Sequence, residues 1–263
     1  MGKPTDTSTT SVPIRIVQTE TAWQHVRQAL RSCNMLAVDI LTDGHDPRTD
    51  QVRILTLATV DEVYVLDVSH LRDLGALVEL FRDPRRLKIM HHGKRVLLFL
   101  AELLDFQEPL GRLCVTVFDT LLAAQLLQHV SREVELSELV RLKLNQELPV
   151  PSVLDGHLQP SQNLLELAGR STATLFPLRQ VLRDELVRAD LVTVAKLEFD
   201  LVPVVADMER TGIYINLAEW NKTWEVYRKQ REELSRAVSE SLGSHMPRSL
   251  FGTPLFNPDS PQQ

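Results

Sequence analysis

Nearly all of the strand-like apolar patterning in this chain falls within its first 119 residues, and from Phe118 onward the spacing of apolar residues is helical almost throughout. Such a division asks for one sheet built early and helices laid over it afterwards. Ile14 to Val17 reads as a short strand, followed by a helix around Ala22 to Leu30 with Trp23, Val26 and Leu30 on one face. Met35 to Ile40 is an apolar run of strand length, closed by the turn-rich Thr42-Asp43-Gly44-His45-Asp46-Pro47. Gln51 to Thr59 alternates apolar with polar residues, and Glu62 to Val68 carries Val63, Val65 and Leu66. These three segments are expected to form an antiparallel meander. A leucine-rich helix (Leu74 to Phe81), a strand (Leu87 to Met90) and a helix (Lys94 to Leu104) come next. The order predicts an α/β fold with a mixed sheet flanked by helices.

Later helices are expected at Thr120 to Gln128, Leu136 to Leu144, Ser161 to Leu186, Leu191 to Arg210 and Leu217 to Leu242, with Pro177 kinking or splitting the third. Gly212 is the stop signal of the fourth. In the last helix Trp220, Trp224, Tyr227, Leu234 and Val238 fall near helical spacing and read as a packing stripe.

Composition narrows the function classes. With 263 residues, 43% of them hydrophobic, the chain can build one substantial core and a smaller second unit. No apolar run approaches the roughly 18 residues of a membrane span. The Thr/Ser-rich residues 1–13 lack a signal peptide's apolar segment and read as a disordered tail, so a cytoplasmic protein without membrane partners is expected. Cys33 and Cys114 have no Cys/His metal spacing and read as free thiols. The net charge of −6 excludes a generally basic nucleic-acid binder, because phosphate contacts come from clustered Lys and Arg. One such cluster, Arg82, Arg85, Arg86, Lys88, Lys94 and Arg95, reads as ordinary solvated surface.

Two-metal phosphodiester hydrolysis needs several carboxylates, since divalent cations about 4 Å apart repel unless oxygen ligands neutralise them. An Asp near the end of a core strand with a second acid two residues on would put both on one sheet face. The stretch Asp39-Ile40-Leu41-Thr42-Asp43-Gly44 resembles the first motif, D-x-E and a turn, of the 3′–5′ exonucleases of the RNase D and proofreading-polymerase superfamily, with Leu41 in the place of the Glu. His91-His92-Gly93-Lys94-Arg95-Val96-Leu97-Leu98-Phe99-Leu100 is similar to the second motif, H-N-x-K-x-D-L-x-F-L, with Val96 in the place of the Asp. Phe118-Asp119-Thr120 resembles a later F-D-T segment whose Asp is structural. Leu167-Ala168-Gly169-Arg170-Ser171 looks like the third motif, Y-A-A-x-D, with Leu167 for the Tyr and Ser171 for the Asp. Beyond these, Leu201 to Ile213 resembles the opening of the polymerase domain in family A DNA polymerases, and Phe256 to Gln262 resembles their F-N-x-x-S-P-x-Q.

The resemblance implies an RNase H-like exonuclease domain over 14–190 and, over 191–263, the truncated helical start of a polymerase domain that cannot polymerise by itself. It implies a role in DNA replication or repair, with a single-stranded or primer 3′ end and a downstream polymerase domain as partners. It assigns Asp39 to a metal-binding carboxylate, Thr42 to the terminal nucleotide's pocket, and His92 and Lys94 to the nucleic-acid contact. One carboxylate cannot hold two divalent ions, so a degenerate, inactive exonuclease with no resident metal is expected; Mg²⁺ or Mn²⁺ belongs only to the alternative, an active enzyme with substitute ligands. His91 or His92 with Asp39, Asp43, Asp46 or Asp119 would be such a substitute set. Asp39 beside Leu41 and Val96 should be desolvated and its pKa raised, unless Lys94, Arg95 or a histidine pairs with it.

Overall fold

The computed structural model describes residues 12–128, 134–148 and 160–242. Most of the expected tail, and the F-N-x-x-S-P-x-Q-like segment, lie outside them. Six strands form one mixed sheet: β1 (Ile14–Val17), β2 (Met35–Thr42), β3 (Val52–Ala58), β4 (Val63–Asp67), β5 (Leu87–Met90) and β6 (Val117–Asp119), in the order β1-β4-β3-β2-β5-β6. The expected meander is there, since β2 to β3 and β3 to β4 are both antiparallel. Two parallel extensions flank it: β1 pairs with β4 on one side, and β5 then β6 follow β2 on the other. The sequence reading missed β6 as a strand because three residues carry no measurable period.

Alternation along the strands feeds two cores, one on each face. On one face, Leu36, Val38 and Ile40 of β2 pack with α1 (Glu20–Leu30), α2 (Ala76–Arg82), α3 (Gly93–Leu103) and α4 (Leu110–Leu113) through Trp23, Leu77, Phe81, Phe99 and Leu113. On the other, Ala37, Ile54, Val65 and Ile89 meet α5 (Thr120–Gln128), α6 (Leu136–Leu144), α7 (Gln162–Ala173) and α8 (Leu175–Arg188). Fully burying a Leu or Phe side chain contributes about 1.5–3 kcal/mol, so these two layers carry the stability of the sheet. Thr19 caps α1 by accepting from Ala22 N, and Ser161 caps α7 by accepting from Leu164 N. Helix α7 approaches the sheet closely at Gly169, where a Cβ would stand 2.9 Å from Ile14 Cγ2 and 3.0 Å from Val65 Cγ2.

The long helix expected over 161–186 is two helices, broken after Ala173. Pro177 explains the position: its ring conflicts with the carbonyl four residues earlier, which belongs to Ala173, while Pro177 itself fits the first turn of α8. A ninth helix, α9 (Val192–Thr211), packs along β6, α3, α4 and α5. It serves both cores: Ala195 and Phe199 join one, Val202 and Ala206 the other, and Phe199 meets Phe118 of β6 at 4.8 Å between ring centroids. The sheet's β6 edge is thereby covered. The expected boundary at 190/191 falls in the turn before α9, whereas the compact units divide between Thr211 and Gly212. Gly212, at φ 68°, supplies the left-handed residue that ends α9.

The second unit, considered by itself, is α10 (Leu217–Leu242) among the described residues. Asn216 caps it by accepting from Ala218 N and Glu219 N, and Arg228 pairs with Glu225 and Glu232. Within this unit, among the described residues, the expected packing stripe finds nothing to pack on: Trp220, Trp224, Tyr227, Leu234 and Val238 are all exposed. Capping and i,i+3 and i,i+4 pairs support this helix. Among the described residues no helix is long and apolar enough to cross a membrane.

Candidate active site

Parallel strands β2, β5 and β6 end on the same side of the sheet, the position where open α/β sheets place their ligands. There a cavity of about 500 Å³ opens, lined from β2 by Asp39, Ile40 and Leu41, from the β5 end by His91 and His92, from α3 by Arg95, and from α7 by Ala168 and Ser171. Thr56, the cross-strand partner of Asp39, lines it too, and its hydroxyl lies 2.5 Å from that of Thr172 on α7. Period two puts Asp39 and Leu41 on one face of β2, as the motif requires, so an acid at 41 would face the same space.

Asp39 is half-buried and accepts one hydrogen bond, from Ile40 N at 2.9 Å. Burial pushes its carboxyl up to about 6, against that N–H and the Arg95 guanidinium. The rise expected for a carboxylate beside Leu41 is present, and Arg95 is the cation that limits it. His91 is held by Thr120 Oγ1 and by Val134 O, both at 2.9 Å, and burial brings its pKa down to about 4. The bond to a carbonyl makes Nε2 the donor, so the ring is a neutral structural link between β5, α5 and the chain before α6.

The remaining sequence candidates fall in different places. Leu41 and Ser171 line the cavity with Asp39, whereas Val96 is 1% exposed inside the core and Leu167 lies outside the lining. Thr42 is buried; its hydroxyl donates to Gly44 O and accepts from Arg95 Nη2 at 2.6 Å. His92 lines the cavity from a left-handed backbone (φ 58°) at the N-cap of α3. Lys94 turns away to Glu209 of α9, 2.8 Å from Nζ to Oε1. Asp119 is buried below the site and accepts from His92 N, Gly93 N, Leu121 N and Leu122 N, which ties down the starts of α3 and α5. Among the described residues no three His, Cys, Asp or Glu side chains converge as a metal site. The histidine and aspartate set considered from the sequence is not assembled.

Nor is the basic cluster one solvated surface. Arg86 is buried and donates to Leu30 O, Arg31 O, Cys33 O and Leu80 O, and Lys88 is fully buried with Nζ on Asp83 O. Arg82 pairs with Glu108 and Arg85 with Asp83. Sequence reasoning missed Thr56 as a lining residue and Thr172 as the hydroxyl it meets. Their only signal was a hydroxyl in an otherwise apolar strand and helix face.

Residues 14–186 match the family model described as 3′-5′ exonuclease. Protein RRP6-like 1 of Arabidopsis thaliana is 24% identical over 275 residues, covering 91% of this chain and 40% of that protein, so the chain spans about two fifths of its relative's length. Two solved structures share the fold: Brucella melitensis NrnC bound to pGG (TM-score 0.63, 22% identity, 77% of this chain and 95% of that one) and Escherichia coli RNase D, described as an exoribonuclease involved in structured RNA processing (TM-score 0.63, 19% identity, 74% and 50%). With the family match covering well over half of its length, this chain belongs to the 3′-5′ exonuclease family.

Proposed function

We propose that this chain is a silenced 3′–5′ exonuclease domain, which keeps the family's cleft and has lost the metal chemistry that cuts. The observation that carries this reading is the donor set of the cleft: among the motif positions Asp39 is the one carboxylate, accompanied by Leu41 and Ser171, while Val96 is turned into the core, and Glu135, which also lines the cavity, does not converge with Asp39 and the histidines as a metal site among the described residues. Leucine and valine offer no oxygen, and serine offers a weak neutral one. The residues present therefore do not fit a pair of divalent ions. Each lost catalytic element removes several kcal/mol of transition-state stabilisation, and tenfold in rate goes with about 1.4 kcal/mol.

The cleft remains open, and it is large enough for a nucleotide. Structural likeness to NrnC bound to pGG supports reading it as a place where a nucleic-acid end rests uncut. The likeness of Leu201 to Ile213 to the opening of family A polymerase domains supports a place for the domain, 14–190, beside a polymerase in DNA replication or repair, with 191–263 as the lead-in. Among the relatives, RNase D is described as an exoribonuclease, so RNA and DNA ends both belong in the test.

Labelled single-stranded DNA and RNA oligonucleotides, incubated with the protein and Mg²⁺ or Mn²⁺, should keep their length, and any binding should survive EDTA and weaken with salt. Shortening that EDTA stops and Asp39→Ala abolishes would instead establish an active enzyme with substitute ligands.

A further inference from the structure

The cleft carries a permanent cation of its own. Arg95 is the third residue of α3, one position before Val96. In that helix the apolar side, with Val96, Leu97, Phe99 and Leu100, is committed to the core, and this leaves Arg95 as the side chain of the first turn that reaches the cavity beside Asp39. Two contacts fix its direction. Nη2 lies 2.6 Å from Thr42 Oγ1, and that hydroxyl is anchored on Gly44 O. The guanidinium carbon lies 5.3 Å from the centroid of Phe99, one turn along the same helix. Arg95 and Asp39 thus line the same cavity from two elements.

We propose that Arg95 stands in for the lost metal charge: a built-in guanidinium in the same cavity as Asp39 that holds the cleft in a metal-excluding state. The inference rests on the silenced-nuclease reading and adds a second, independent lock to it. Missing carboxylates lower the attraction for a divalent ion; a fixed positive charge in the same space repels one even where carboxylates are put back. An arginine suits this role because its guanidinium stays protonated and is weakly hydrated, so it tolerates a partly dry site.

The test compares Leu41→Glu with Leu41→Glu/Arg95→Gln by Mn²⁺ titration, read by electron paramagnetic resonance of free Mn²⁺, with circular dichroism to confirm folding. Leu41 is half-buried and faces the cavity, so its position offers the gentlest place to restore an acid. Removing Arg95 should tighten Mn²⁺ binding at least tenfold, and Leu41→Glu/Arg95→Lys should behave like the arginine parent. Equal affinity with and without the cation overturns the proposal. Should the Leu41→Glu variants fail to fold, the wild type and Arg95→Gln are compared by Mn²⁺ broadening of the Ile40 amide resonance. Stronger broadening in the variant supports the role, and equal broadening sinks it. Failure of the parent reading looks different: the wild-type protein itself would bind two Mn²⁺ ions or shorten an oligonucleotide.

Discussion

Two aspartates sit near the carboxyl ends of parallel strands in this sheet, Asp39 on β2 and Asp119 on β6, and they have opposite surroundings. Asp119 is buried under four backbone N–H donors from the starts of two helices. Asp39 has one backbone N–H donor, its own neighbour's, in a cavity of mixed polar and apolar lining. Burial raises both pKa values, but only around Asp119 do several backbone bonds oppose it. The lesson is that a carboxylate left over from a site and a carboxylate built into a frame can be told apart by counting what donates to them. The frame residue organises its surroundings, while the remnant is tolerated by them.

Replacing each aspartate puts that contrast at risk. Asp119→Ala should cost the most, about 4 kcal/mol of unfolding free energy in urea at pH 7, because it strips caps from α3 and α5 and leaves buried N–H groups unsatisfied. A loss under about 1 kcal/mol would erase the distinction. The next largest effect belongs to His91, which stands between them. Its pKa is about 4 in the fold against an ordinary 6.5, so between those values the unfolded chain binds the extra proton. Stability should therefore fall as pH drops from 6.5 to 4, with none of this penalty above 6.5. Discounted for a half-buried ring, wild type should lose about 2 kcal/mol more than His91→Gln over that window in thermal or urea melts. Asp39→Asn should have the smallest effect and the opposite sign. Its carboxyl is at about 6 in the fold and 3.8 ordinarily, so the burial penalty is absent below 3.8 and complete above 6. The amide should gain about 1 kcal/mol at pH 8 and nothing at pH 3.5. A loss at pH 8 would make Asp39 a frame residue after all.

Much of this architecture was legible because strand and helix periods differ. The Met35 to Ile40 run, the alternation at 51–59 and the Leu87 to Met90 strand all announce themselves, and several of the motif positions line the cavity at the strand ends. Three things were not legible. The break after Ala173 is set by a proline four residues on, which the sequence marks without saying where the helix yields. The burial of Val96, with Arg95 turned to the cleft, depends on how α3 is rotated against the sheet, and neighbouring positions on a helix differ by only about 100°. The fate of Lys94 depends on Glu209, 115 positions away, in a helix whose docking no local pattern reveals.

The covering of the β6 edge by α9 has a practical corollary. The match to the exonuclease family stops at residue 186, yet the helix beyond it fills both hydrophobic layers. A fragment trimmed to the family boundary would bare a parallel edge strand and the Phe118 ring, a surface prone to self-association. Excision of this unit for expression therefore belongs at the Thr211–Gly212 junction.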